Sequence, residues 1–266
     1  MARWRSSKHA GVPAAAALAQ RGGHAHQQPL LDLHTNEITR HELLLRMLGP
    51  NGEHIDPTTF LYVAERFGLI QEIDAWVVRQ AIALIADQQE LGRRLRLEVN
   101  LSGLSLTSPE VISTIEHELE QSQIDPSCLT FEITETAAIV NIQRARAFAE
   151  RISELGCGFA LDDFGAGFGS FYYLKHLPFD VLKIDGEFVR NLGDSHKDQL
   201  VVKSLARIAT ELGKKTVAEH VEDDATLDLV RAYGVDYAQG HGIGRPQLVS
   251  EWLTQARRIG AHAGRW

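Results

Sequence analysis

The chain reads as a parallel α/β fold, a barrel of eight β/α units modified at its start. Three observations predict it. Strand-like apolar runs alternate with helix-like stretches from about Gln28 onward. There are eight such runs, and 266 residues suits eight β/α units. The first two runs are joined by only HTNE, too short for a helical crossover, so they pair as an antiparallel hairpin.

The runs, in order, are PLLDL (29–33), ITRHELLLRM (38–47), LRLEVNLS (95–102), LTFEITE (129–135), GFALDD (158–163), DVLKID (180–185), KTVAEHVE (215–222) and VDYAQG (235–240). Between them, Ala75 to Gln89, Arg144 to Leu155 and Leu200 to Leu212 carry apolar residues at helical spacing. Ser108-Pro109-Glu110 is a helix start, with proline in the first turn. Gly156, Gly213 and Gly234 follow helical stretches, as helix stops do. Residues 1–26 read as an irregular N-terminal segment and 27–266 as one barrel domain. The alanine-rich GVPAAAALAQ is too weakly apolar for a secretory signal and reads as a linker. His24 and His26 read as an exposed pair rather than as metal ligands.

Composition narrows the function. Lys and Arg number 27 against 35 Asp and Glu, a net charge of −8. Such a chain lacks the basic balance of a duplex nucleic-acid binder. Cys128 and Cys157 make no disulfide framework and read as buried free thiols of a reducing, cytoplasmic setting. No apolar run approaches the roughly 18 residues of a membrane span.

The polar residues on the strand-like runs carry the chemistry. FALDDFGAGFGS (159–170) shows the pattern: an apolar strand ends in two aspartates and runs into glycines. Glu42 lies on the second run; Asn100 and Ser102 end the third. Glu132 and Glu135 mark the fourth. Asp162 and Asp163 end the fifth, Lys183 and Asp185 the sixth. Glu219 and Glu222 mark the seventh and Gln239 the eighth. In a parallel barrel these ends converge on one mouth. Carboxylates with one amide oxygen suit hard divalent cations, and no Cys-His cluster competes for zinc. Adjacent aspartates can serve two cations, the arrangement that clamps both oxygens of a phosphoryl transfer. Asp163-Phe164-Gly165 lacks the other kinase motifs, and GAGFG lacks the spacing of a dinucleotide loop. The residues therefore point to a metal-dependent phosphoesterase and leave its substrate open.

The motifs resemble those of the EAL domain family, the cyclic di-GMP phosphodiesterases of bacterial signalling. The resemblance runs from about Gln28 to Trp252. It rests on QP (28–29), ELLLR (42–46), DPTTFLYVAE (56–65), VNLS (99–102), FEITE (131–135) and DDFGAGFGS (162–170). LPFDVLKID (177–185), AEHVE (218–222), QG (239–240) and RP (245–246) complete it. It implies a modified TIM (β/α)8 barrel with an antiparallel first strand. It also implies hydrolysis of cyclic di-GMP to linear pGpG with two divalent cations, Mg²⁺ or Mn²⁺. By the same resemblance, Glu42, Asn100, Glu132 and Asp162 hold one metal, and Asp162, Asp163 and Glu219 the other. Lys183, Glu219 and Glu42 act in catalysis. Gln28, Arg46, Gln239 and Glu222 meet substrate, and Glu135 anchors the loop from Asp163 to Ser170, which the family links to dimerisation. A homodimer and an upstream sensor or cyclase domain in a longer protein are expected with it. The alternative is an EAL-like receptor or interaction module without turnover. Leu43, His220 and His241 depart from the family pattern, and the polar RGGHAHQQ is a poor match for its first strand.

Overall fold

The computed structural model describes residues 23–49, 51, 53–165 and 171–260. Eight strands close the barrel: β1 (Gly23–Asp32), β2 (Glu37–Leu48), β4 (Leu97–Asn100), β5 (Leu129–Thr134), β6 (Gly158–Phe164), β7 (Val181–Ile184), β8 (Lys215–Ala218) and β9 (Tyr237–Gln239). Two short strands, β3 (His54–Ile55) and β10 (Gln247–Leu248), extend the sheet beyond β2 and β1. β1 is antiparallel to β2, β9 and β10, while β2 and the later barrel strands run parallel. The expected hairpin is thus present. Asp32 makes its turn: Oδ1 accepts from the backbone N–H of His34 at 2.9 Å and of Thr35 at 3.0 Å. Asn36 closes the turn at φ 59°.

The helices are α1 (Pro57–Arg66), α2 (Ile70–Glu90), α3 (Pro109–Ser122), α4 (Glu135–Val140), α5 (Ile142–Glu154), α6 (Phe171–His176), α7 (Gly186–Val189), α8 (His196–Glu211), α9 (Asp224–Ala232) and α10 (Val249–Gly260). Ser108 caps α3 by accepting from the Val111 N–H. Gly156, Gly213 and Gly234 stand at φ 84°, 67° and 81° after α5, α8 and α9, as helix stops do. The main core lies between barrel and helices and is built from the outward residues of the strands, among them Val99, Phe131, Ile133, Phe159 and Leu161. Leu43 packs there too, behind the site rather than in it. Cys128 and Cys157 are free and buried, and burial pushes the Cys157 thiol up to about 12.

Three sequence expectations need correction. β1 begins at Gly23, inside the segment read as irregular, and pairs along its whole length with β2, from Gly23↔Met47 to Asp32↔Glu37. Barrel closure at this strand is therefore intact. Its start escapes the apolar pattern because Gln27 turns outward yet is buried by a polar contact, accepting from His41 Nδ1 at 2.7 Å. β8 stops at Ala218, four residues short of the run, because His220 takes φ 54° and breaks the extension. Glu135 opens α4 rather than ending a strand, since Thr134 caps the helix by accepting from the Ala137 N–H at 3.2 Å. The alanine-rich stretch and residues 166–170 lie outside the described residues.

Candidate active site

One residue from each barrel strand or its end faces the mouth: Gln28, Glu42, Asn100, Glu132, Asp162, Lys183, Glu219 and Gln239. Their alternation follows from the two-residue period of a strand. Two residues further into the barrel lies the next layer: Leu30, Arg40, Glu98, Thr130, Ala160, Val181, Val217 and Tyr237. Four of these, Leu30, Ala160, Val181 and Val217, form a small apolar plug with Tyr237 packed on it.

Lys183 stands at the centre of the mouth layer and is fully buried. Its Nζ lies 2.9 Å from Glu132 Oε2, 2.9 Å from Glu219 Oε1, 3.3 Å from Asp162 Oδ1 and 3.8 Å from Glu42 Oε2. Burial alone would lower its pKa. The charges of Asp162, Glu132, Glu219 and Glu42 reverse this and hold it well above the ordinary lysine value. Four carboxylates around one ammonium cannot all ionise at little cost. Burial pushes Glu132 well above the usual range against the pull of Lys183, and the charges of Glu98, Glu42 and Asp162 add to the rise. Burial likewise raises Glu219 to about 8, Lys183 opposing and Asp162 and Glu42 adding.

Glu42 is fixed from both sides. Its Oε1 accepts from Asn100 Nδ2 at 2.5 Å and its Oε2 from Gln239 Nε2 at 2.6 Å. Gln239 Nε2 also reaches Gln28 Oε1 at 3.3 Å, and Gln28 Nε2 donates to Gly244 O at 3.1 Å. The paired aspartates owe their position to a register break. Leu161 pairs with Leu182, but Phe164 pairs with Ile184, so Asp162 and Asp163 together face Lys183 alone. Asp163 takes φ 53°, and this left-handed turn brings its carboxylate back towards the mouth. Loss of hydration raises Asp163 to about 6, and the charges of Asp162 and Asp185 contribute.

The donor set fits hard divalent cations. Oxygens of Asp162, Asp163 and Glu219 all lie within 4.8 Å of one another. Glu132 Oε1 is buried without a hydrogen-bond partner, and Asp162 Oδ1 makes no hydrogen bond beside its 3.3 Å ion pair with Lys183, so a cation would complete the coordination of both. Asn100 presents its amide N–H to Glu42, so ligation through Oδ1 requires that amide to turn over.

Glu135 is buried, and its Oε2 accepts from the Gly165 N–H at 3.0 Å, where the loop leaves β6. Gly165 stands at φ 104°, and a Cβ there would meet the Phe188 ring at 2.7 Å. Arg46 sits on β2 two turns of the pleat above Glu42, its Nη1 donating to Leu45 O at 3.1 Å. Glu222 is exposed beyond the left-handed turn at His220 and does not join the carboxylates. His220 Nε2 meets Arg190 Nη2 at 2.9 Å, and burial, then Arg190, lowers its pKa. His241 is exposed. Sequence reasoning missed Glu98 and Arg40, although Leu97-Glu98-Val99-Asn100 alternates so that Glu98 must face inward with Asn100.

The EAL domain family model matches residues 14–246. The chain belongs to the EAL domain family. Among curated relatives, this EAL domain is 41% identical over 216 residues to cyclic di-GMP phosphodiesterase PdeB of Shewanella oneidensis. That match takes in 81% of this chain and 25% of the relative. It is 37% identical over 219 residues to cyclic di-GMP phosphodiesterase PdeF of Escherichia coli, 82% of this chain and 29% of the relative. The chain therefore spans less than a third of the length of either relative. A solved PaMucR phosphodiesterase in complex with c-di-GMP superposes with TM-score 0.83 at 32% identity, covering 89% of this chain and 96% of that one. No helix among the described residues is long and apolar enough to cross a membrane.

Proposed function

We propose that this EAL domain hydrolyses one phosphodiester bond of cyclic di-GMP to linear pGpG, using two divalent cations, Mg²⁺ or Mn²⁺. The observation that carries the reading is Lys183 ringed by Glu42, Glu132, Asp162 and Glu219, with Asp163 brought alongside by the break in β6. The presence of the whole metal-ligand set together with Lys183 and Glu219 favours turnover over a module that only binds its ligand.

Glu42, Asn100, Glu132 and Asp162 would hold one cation, and Asp162, Asp163 and Glu219 the other. Bound cations supply Lewis acidity and lower the pKa of water. Lys183 keeps its proton, donates hydrogen bonds at the reacting centre and balances charge that develops on phosphorus. Glu219 also takes up a proton at its carboxylate during the reaction. Arg46 binds a substrate phosphate in the geometry that a guanidinium favours. Gln28 and Gln239 orient Glu42 and reach the substrate, and Glu222 meets it at the rim. Glu135 holds the start of the loop after Asp163, through which we expect the domain to report homodimerisation. The setting is cytoplasmic, with an upstream sensor or cyclase domain in the longer protein.

The test is product analysis by chromatography after incubation with cyclic di-GMP and Mg²⁺ or Mn²⁺, beside a Glu42→Ala variant and a chelated sample. Metal-dependent pGpG that disappears in both controls supports the reading. Tight binding of cyclic di-GMP without product would make the domain a receptor.

A further inference from the structure

We infer that Glu98 is a positioning residue for the cation site, the counter-charge that allows the Arg40 guanidinium to form the barrel floor directly beneath it. The inference rests on the cation-dependent reading above.

Glu98 is 1% exposed. In the sheet it stands opposite Glu42 on one side and Thr130 on the other, on the inward face. It therefore stands beside Glu42 and two residues below Asn100 on its own strand and Glu132 on the next, all three proposed ligands. Its Oε1 is 3.3 Å from Arg40 Nη1. Its Oε2 is buried without a hydrogen-bond partner, which leaves the Arg40 contact at Oε1 to hold the carboxylate. Arg40 reaches Thr130 Oγ1 at 3.5 Å and lies over the Tyr237 ring at 5.2 Å. Among the described residues, Glu98 is the one ion-pair partner of Arg40. The rest of the layer is the apolar plug.

A guanidinium below a divalent cation repels it through a medium far less screening than water. Paired with Glu98, the floor is neutral and the repulsion is cancelled. Glu98 needs no contact with substrate or metal for this effect. Glu98→Gln keeps the shape and the inward oxygen but leaves the Arg40 charge standing. Arg40→Met in the same chain removes that charge again.

The test is Mn²⁺ binding by calorimetry to the full chain as wild type, Glu98→Gln and Arg40→Met/Glu98→Gln. Melting curves in chelator establish that each protein is folded. We expect Glu98→Gln to weaken Mn²⁺ binding about tenfold, and the double variant to return to within about threefold of wild type. A Glu98→Gln protein that fails to fold beside a double variant that folds and binds as wild type supports the same pairing. Wild-type affinity in Glu98→Gln overturns the inference, and so does a double variant as weak as Glu98→Gln, which would make the effect one of packing. A wild-type chain that binds no Mn²⁺ overturns the cation-site reading and this inference with it.

Discussion

Replacing Lys183 by Met removes the one ammonium that faces four carboxylates while keeping most of the buried stem. The Nζ distances of 2.9, 2.9, 3.3 and 3.8 Å leave no room to treat the group as a surface charge. Removing one partner of a buried ion pair costs about 3–5 kcal/mol. For a domain of this size that lowers Tm by roughly 6–20 °C. The loss depends on pH, and its sign is fixed. Glu132 and Glu219 already titrate above their unfolded values, so the native state holds more protons than the unfolded chain as pH rises past the usual carboxylate range. Stability from these groups is present at low pH and is lost as pH climbs through their folded values. Without Lys183 those values rise further, so the deficit of the variant is larger at pH 8.5 than at pH 6. Thermal unfolding of both proteins in chelator at the two pH values measures this. A Tm within about 2 °C of wild type at both would refute the view that Lys183 holds the carboxylates together.

Three other predictions follow from neighbouring contacts. Cation binding must displace protons from Glu219, near 8, and Asp163, near 6, so Mn²⁺ affinity should rise between pH 6 and pH 8; calorimetry in buffers of different ionisation heat should detect the released protons, and a pH-independent affinity would count against it. Glu135→Ala leaves the Gly165 N–H without its buried acceptor, a loss of about 1–3 kcal/mol, and amide exchange at Gly165 should accelerate while exchange at Val217, in the barrel wall, is less affected; unchanged protection at Gly165 would dismiss the anchor. Gly186→Ala would push a Cβ into the His220 ring and should cost about 1–3 kcal/mol, recovered in Gly186→Ala/His220→Gly; failure of the second change to restore Tm would place the strain elsewhere.

Much of this was legible because the barrel has one apolar side. Runs such as GFALDD and DVLKID bury their outward residues against helices, so both their extent and their polar ends stand out. Where a strand has no apolar face the signal fails. His24 and His26 share β1 with Leu30, yet their stretch reads as loop, since the pairing with Arg46 and Leu44 that makes it a strand is remote in sequence. The break in β6 is likewise a property of pairing. The sequence displays Asp162 and Asp163 side by side but not that both stand opposite Lys183 in the sheet. Glu222 shares the run KTVAEHVE and the family motif with Glu219, and the left-handed His220 between them separates the two. Glu98 carried its signal in plain alternation, but its partner Arg40 lies 58 residues away, so nothing local marked the pair.

The most direct measurement is steady-state turnover of cyclic di-GMP against free Mn²⁺ in metal-buffered solution, with calorimetric occupancy measured on the same preparation. The account predicts no pGpG in excess chelator and turnover that rises only as a second cation binds. Turnover undiminished by chelator, or a site filled by two cations that releases no pGpG, would contradict it.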